Sequence, residues 1–142
     1  MTVFPSNVII LYDGVCGLCN RWVQLVLKHD SRDRFRFASL QSDFSARLLA
    51  RHGVTPQLLD TMYAVLNHSL AEERLVSRSA AVVAILRELA GVWGALGALL
   101  AFLPETLRDA AYNLLARHRY RIFGKYDACP LPDEQYRNRF ID

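Results

Sequence analysis

Five apolar residues, Val8 to Tyr12, end on Asp13-Gly14, and three residues later, at Gly17, the apolar pattern changes to that of a helix. A run of that length closed by Asp-Gly has the form of a buried strand running into a sharp turn. From Gly17 to Lys28, Leu18, Trp22, Leu25 and Val26 recur at the intervals of one helix face. Phe35 to Leu40 then alternates as a second strand, with Phe35, Phe37 and Ser39 on one side and Arg36 and Ala38 on the other. Strand, helix and strand within about 33 residues form a βαβ unit, so the two strands are expected to run parallel.

Beyond this unit, Ser42 or Asp43 can cap a helix reaching about His52, with Phe44, Leu48 and Leu49 facing inward and Gly53 as its stop. Met62 to Asn67 is a third strand, Asn67-His68-Ser69 a turn and Arg74 to Val76 a fourth strand. Ser77 or Ser79 then caps a helix carrying Val82, Val83, Leu86 and Leu89. The expected class is α/β, in the order β-α-β-α-β-β-α, which is the frame of the thioredoxin and glutaredoxin folds. At 142 residues and 52% hydrophobic, the chain can bury one sizeable core but not two. One domain over 1–142 is expected, with the core in 1–90 and a helical extension and irregular tail, 91–142, packed on it. In the extension Leu107, Ala111, Leu114, His118 and Ile122 form an apolar stripe, opened by Pro104-Glu105 and closed by Gly124. His118 on that stripe reads as a core histidine.

Charge and hydropathy exclude several classes. The net charge is +3, and Arg117, Arg119, Arg121 and Lys125 lie in one ten-residue stretch; +3 less these four leaves −1 for the rest. The basicity is local and reads as a solvated face, so no nucleic-acid partner is expected. Ala80 to Pro104 is strongly apolar, but Arg87 and Glu88 leave a continuous run of only sixteen residues from Leu89. A spanning helix takes about 20 residues, so two core segments meeting near Gly91 to Gly94 are expected, and only peripheral membrane contact stays open. Three cysteines do not make a secreted disulfide framework, and the N-terminus lacks a basic n-region. The expected compartment is reducing and cytoplasmic, where two cysteines three positions apart signify chemistry or metal binding.

Cys16 and Cys19 fall where a helix begins. Unpaired N–H groups and the positive end of the helix dipole favour a thiolate there. Cys16, at the open end, would attack a partner disulfide; Cys19, one turn inside, would resolve the mixed disulfide. No cofactor is needed. Gly14 and Gly17 keep the approach uncrowded, and Gly14, Gly17, Leu18 and Trp22 are candidates to touch a substrate. Asp13 has two compatible readings: a brace for the turn, or a proton relay for Cys19, which requires the carboxylate to face Cys19 rather than Cys16. Zinc normally takes four ligands, so a metal centre would need Cys129 and a histidine, and the lone pair favours redox chemistry over zinc. Cys129 is an inert half-buried thiol, a third redox group, or a thiol simply exposed between Ala128 and Pro130.

The run LYDGVCGLCNRWVQLVLKHD (Leu11 to Asp30), FRFASLQS (Phe35 to Ser42) and a C-terminal pattern of Arg108-Asp109, Tyr112, Ala116-Arg117, Arg119-Tyr120-Arg121, Phe123-Gly124-Lys125 and Cys129 resemble the DCC family of thiol-disulfide oxidoreductase-like proteins. The resemblance implies a thioredoxin-like fold and a thiol-disulfide oxidoreductase activity, and carries the functional cysteines onto Cys16 and Cys19. The partner would be a protein or small-molecule thiol or disulfide. One departure stands out: thioredoxins and glutaredoxins place a cis proline before the third strand, whereas here the matching residues are Asp60-Thr61-Met62 and Pro56 is too early. A cis bond before a non-proline residue costs about 2.5–4 kcal/mol, so a trans loop is expected, with Thr61 free to hydrogen-bond a substrate or the Cys16 sulfur. Two other readings compete: an adaptor that docks a protein or an anionic membrane surface through the apolar region of Trp93 and Phe102 together with the basic segment beyond it, and a metal site on the three cysteines.

Overall fold

In the computed structural model, the described residues are 8–14, 16–30, 35–54, 62–66, 73–89, 91–124 and 139–141. Strand β1 (Val8–Tyr12) leads into helix α1 (Gly17–His29), followed by β2 (Phe35–Ser39), α2 (Asp43–Arg51), β3 (Tyr63–Leu66), β4 (Arg74–Ser77) and α3 (Arg78–Glu88). This is the expected thioredoxin-like core. Helices α4 (Val92–Ala101) and α5 (Glu105–Phe123) are added to it, and β5 (Phe140–Ile141) is the last element among the described residues. The strands are arranged β4-β3-β1-β2-β5. β1 runs parallel to β2, with Val8 opposite Phe35 and Tyr12 opposite Ser39, and β3 is antiparallel to both β1 and β4.

Period-two alternation divides the core between the two faces of the sheet. Val8, Ile10, Tyr12, Phe35, Phe37 and Ala64 meet Val23, Val26 and Leu27 of α1 and Ala81, Ile85 and Leu86 of α3. Ile9, Leu11, Ala38, Tyr63 and Val65 pack under Leu48 and Leu49 of α2. β1 is covered on both sides, which is why it reads as an unbroken apolar run. Ser42 caps α2 by accepting from the Ser45 N–H at 3.2 Å, and Gly53, at φ +78°, ends the helix turn in the left-handed region.

Several expectations need correction. The buried seam of α1 is Val23, Val26 and Leu27; Leu18, Trp22 and Leu25 are only half-buried, with Leu18 and Trp22 on the side that also meets Tyr112 and Leu115 of α5. Ser77 makes no side-chain cap at α3, and Ser79 does not cap it alone. Instead, the Asp109 carboxylate reaches from α5 and accepts from the Ser79 N–H at 3.3 Å and from the Ser79 hydroxyl. α3 and α4 do separate at Gly91, but α4 is not a core segment. It rides on the outside of α3, with Gly97 as its only fully buried residue, and Phe102 just beyond its end is 86% exposed. Finally, the tail is not wholly irregular: β5 pairs parallel with β2, and Phe140 rests against Phe37 with ring centroids 5.4 Å apart.

The largest departure is in α5. Its apolar stripe faces out, with Leu107 58% and Ile122 62% exposed, while His118 is half-buried. Arg108, Asp109, Tyr112, Ala116 and Arg119, one helical face, turn inward instead. That polar face is drawn in by partners on the core: Ser79 for Asp109, the Met62 N–H for the Tyr112 hydroxyl at 2.9 Å, and Asp13 for Arg119.

Candidate active site

Asp13 leaves β1 with its carboxylate buried, 2% exposed, and the chain turns at Gly14 into α1. Two amides set this turn. Gln41 donates from Nε2 to Asp13 Oδ1 at 2.9 Å and accepts the Gly14 N–H on Oε1 at 3.1 Å. Asn20 donates from Nδ2 to the carbonyls of Gly14 and Cys16, each at 2.9 Å. Both side chains satisfy backbone or carboxylate groups that burial would otherwise leave unpaired.

Cys16 occupies the N-cap position of α1 in extended geometry, and its sulfur accepts the Cys19 N–H at 3.4 Å. A capping sulfur at that position is stabilised as an anion. The Cys16 thiol is held down to about 6, chiefly by the hydrogen bond from the Cys19 thiol; burial opposes this, and the Cys19 N–H and the Arg119 guanidinium assist it. Cys19 moves the other way, pushed up by donating to Cys16, by burial and by the charge of Cys16. The pair therefore shares one proton, and the thiolate belongs to Cys16.

Arg119 is the residue that sequence reading misplaced. Read as part of a solvated basic face, it is 7% exposed, and its Nη2 lies 3.2 Å from Asp13 Oδ2. Arg117 and Arg121, by contrast, are exposed as expected. Tyr120 also donates its hydroxyl to Asp13 Oδ2, and burial together with that carboxylate pushes the phenol up to about 12. The brace expected around Asp13 is thus a four-residue arrangement of Asp13, Gln41, Arg119 and Tyr120, and the charge of Asp13 bears on Cys19, raising it. The signal for Arg119 and Tyr120 was their place in the C-terminal pattern; a buried arginine requires a carboxylate, and Asp13 closes an apolar strand. Gln41 and Asn20 carried no comparable signal.

Of the other candidates, Gly14 and Gly17 are buried in the turn, and the Gly17 N–H donates to the Gly124 carbonyl at 3.0 Å, tying the end of α5 to the first turn of α1. Leu18, Cys19 and Trp22 line a cavity of about 250 Å³ closed by Met62, Val82 and Leu115 among others. Trp22 Nε1 and Arg119 Nε, on residues of that wall, are buried without a hydrogen-bond partner among the described residues. Thr61 and Cys129 lie outside the described residues. Among those described, no three His, Cys, Asp or Glu side chains are grouped to hold a metal, and no helix is long and apolar enough to cross a membrane.

The fold and the site together define a thioredoxin-like protein with a CxxC pair at the join of its first strand and helix. The family model described as DCC1-like thiol-disulfide oxidoreductase matches residues 10–125, and the chain belongs to this DCC family of predicted thiol-disulfide oxidoreductases. It is similar to YuxK of Bacillus subtilis, 33% identical over 135 residues covering 95% of this chain and 94% of that one. It is also similar to a DCC family protein of Arabidopsis thaliana named as chloroplastic, 37% identical over 123 residues, 87% of this chain and 69% of that one. No solved structure gives a significant match.

Proposed function

We propose that the chain interconverts a dithiol and a disulfide at Cys16 and Cys19 in exchange with a thiol or disulfide partner. The observation that carries this is the Cys16 sulfur at the N-cap of α1, receiving the N–H of Cys19 at 3.4 Å. On thiolate character alone Cys16 attacks wherever a partner disulfide can reach it, and Cys19 resolves. Asp13, fixed by Gln41, Arg119 and Tyr120, is suited to hold the join in place and to move the Cys19 proton. The small number of cysteines supports work in a reducing, cytoplasmic compartment, with all 142 residues acting as one domain. Mass-tagging of free thiols across a series of redox buffers tests the reading: a reversible Cys16–Cys19 disulfide is expected, and its absence at every potential reached by cellular dithiols sinks it.

A second reading rests on the exposed Val92 and Leu99 of α4 and Phe102 just beyond its end, which with the exposed cations Arg117 and Arg121 of α5 suit an anionic membrane surface. Co-sedimentation with anionic vesicles that is lost in Phe102→Asp and kept in Cys16→Ser would support this adaptor role; equal binding by Phe102→Asp would remove it.

A further inference from the structure

The two sulfurs are not equally accessible. Cys16 is fully buried, whereas Cys19 forms part of the wall of the cavity. The end of α5 is fastened to the turn that carries the pair, by the Gly124 carbonyl on the Gly17 N–H and by Arg119 and Tyr120 on Asp13. The rest of the cavity wall is mostly carbon, from Leu18, Trp22, Met62, Val82 and Leu115, and its charged members Asp13 and Arg119 are paired with each other. An anionic group entering would lose hydration and find Arg119 already paired with Asp13, with only the lone N–H donors of Trp22 Nε1 and Arg119 Nε to meet it, while an apolar group would gain from burial.

The geometry points to an apolar thiol, seated in this cavity, as the partner of the oxidised protein, with its sulfur attacking Cys19 and not Cys16. This rests on the dithiol-disulfide reading above and adds a substrate class; for this partner the mixed disulfide stands on Cys19, the reverse of the Cys16-first order that thiolate character alone gives. The incoming thiolate forms a bond to Cys19 Sγ; the Cys16–Cys19 bond breaks, and its electron pair stays on Cys16 Sγ, to which the Cys19 N–H donates. If the partner carries a second thiol, that group, as a thiolate, attacks its own sulfur in the mixed disulfide, and Cys19 leaves and takes up a proton from solvent. The partner has lost two electrons and two protons and become a disulfide. The protein has gained the two electrons and one proton, ending as a Cys16 thiolate and a Cys19 thiol, and the other proton goes to solvent. In the first step, attack at the accessible sulfur with departure of Cys16, the better leaving group, is the faster course of exchange. The protein then serves as an oxidant of apolar dithiols.

The test uses the full chain, oxidised, mixed separately with benzyl mercaptan, which is neutral and apolar, and with 2-mercaptoethanesulfonate, which is anionic. After an acid quench, free thiols are tagged with a maleimide and the modified cysteines are located by fragmentation mass spectrometry. The expected product carries the benzyl thiol on Cys19 and the maleimide on Cys16. Its rate per thiolate should exceed that of the sulfonate by about tenfold or more, the scale of discrimination of an apolar pocket. Leu115→Asp, at a position already 43% exposed and so tolerant of charge, should bring that ratio toward one. Benzyl thiol on Cys16, or equal rates for the two probes in the unaltered protein, overturns the inference while leaving the dithiol reading intact if dithiothreitol still opens the disulfide. Failure of any oxidant to form the Cys16–Cys19 disulfide removes both.

Discussion

Replacing Cys19 by alanine should convert Cys16 from a thiolate into a thiol at neutral pH. The largest influence holding Cys16 at about 6 is the hydrogen bond from the Cys19 thiol; the substitution removes it but leaves the burial that opposes ionisation and the backbone N–H that assists it. At pH 7 a group titrating near 6 is ionised roughly ten to one. Raised toward the ordinary thiol value of about 8.5, it would be ionised roughly one part in thirty. Ultraviolet thiolate absorbance against pH, in a Cys129→Ser background to remove the third thiol, reads the change directly, and Cys19→Ser, which keeps a donor hydroxyl, should fall between the two. An unaltered protein that titrates near 8.5, or a Cys19→Ala curve that overlays it, refutes the reasoning.

The same shift fixes the sign of a stability effect. Between pH 6 and about 8.5 the unfolded reduced chain holds a proton on Cys16 that the folded chain has lost, so folding stability rises with pH across that window and is lost as pH falls through 6. The gain is about 1.4 kcal/mol per pH unit, or about 3 kcal/mol in all. Above the window the raised Cys19 acts in the opposite sense, because the unfolded chain gives up a proton that the folded one keeps, and stability declines again. The disulfide form has neither group. Urea unfolding of both forms at pH 6, 7 and 8 should give curves that diverge; parallel curves would contradict the assignment.

Arg119→Met should cost about 3–5 kcal/mol in urea unfolding, because it leaves the Asp13 carboxylate buried without its cation, and Asp13→Asn in the same chain should recover much of the loss. It should also raise the Cys16 titration by less than Cys19→Ala does, and an equal or larger rise would misplace the source of the shift. Asp109→Ala, by uncapping α3, should lower stability by about 1 kcal/mol, with hydrogen exchange accelerated first at Ser79 and its neighbours. Gly97→Ala should destabilise by about 1–3 kcal/mol although helix propensity favours alanine, since its Cβ would stand 2.9 Å from both the Leu86 Cβ and the Arg87 N; a gain in melting temperature would show that α4 does not sit tightly on α3.

What the sequence made legible was whatever local periodicity and end signals control. The apolar run of β1, the alternation of β2, the Ser42 cap and the Gly53 stop each report a backbone preference that the fold then honours. The cysteine pair was legible for the same reason, because it sits where one period gives way to the other. The details that failed depend on contacts distant in sequence. Ser79 is completed by Asp109, 30 positions away, and Asp13 by Arg119, 106 positions away, and neither separation leaves a mark on any window of local pattern. β5 is two residues long and owes its pairing to Phe140 resting on Phe37, too short a segment for alternation to show.

Helix α5 shows why the failed details and the site are one subject. Apolar spacing orients a helix only when nothing else on it has a stronger claim to the interior, and here Asp13 exerts one. A carboxylate buried at the end of β1 beside a thiolate would be costly without a cation and would oppose ionisation of Cys16. Arg119 answers both: it pairs with Asp13 and at the same time lowers Cys16. Bringing Arg119 in rotates the helix so that Tyr112 reaches Met62, Leu115 and Ala116 join the cavity wall, and Leu107 and Ile122 turn to solvent. The exposed stripe is thus the complement of a polar face required by the dithiol centre. If so, Asp13→Asn combined with Arg119→Leu, which removes that claim, should loosen α5 at its C-terminal end, with faster hydrogen exchange at Tyr120 to Gly124 and Cys16 opened to alkylation. Unchanged protection there would mean that α5 is held by its own packing, and that the charge pair follows the helix instead of directing it.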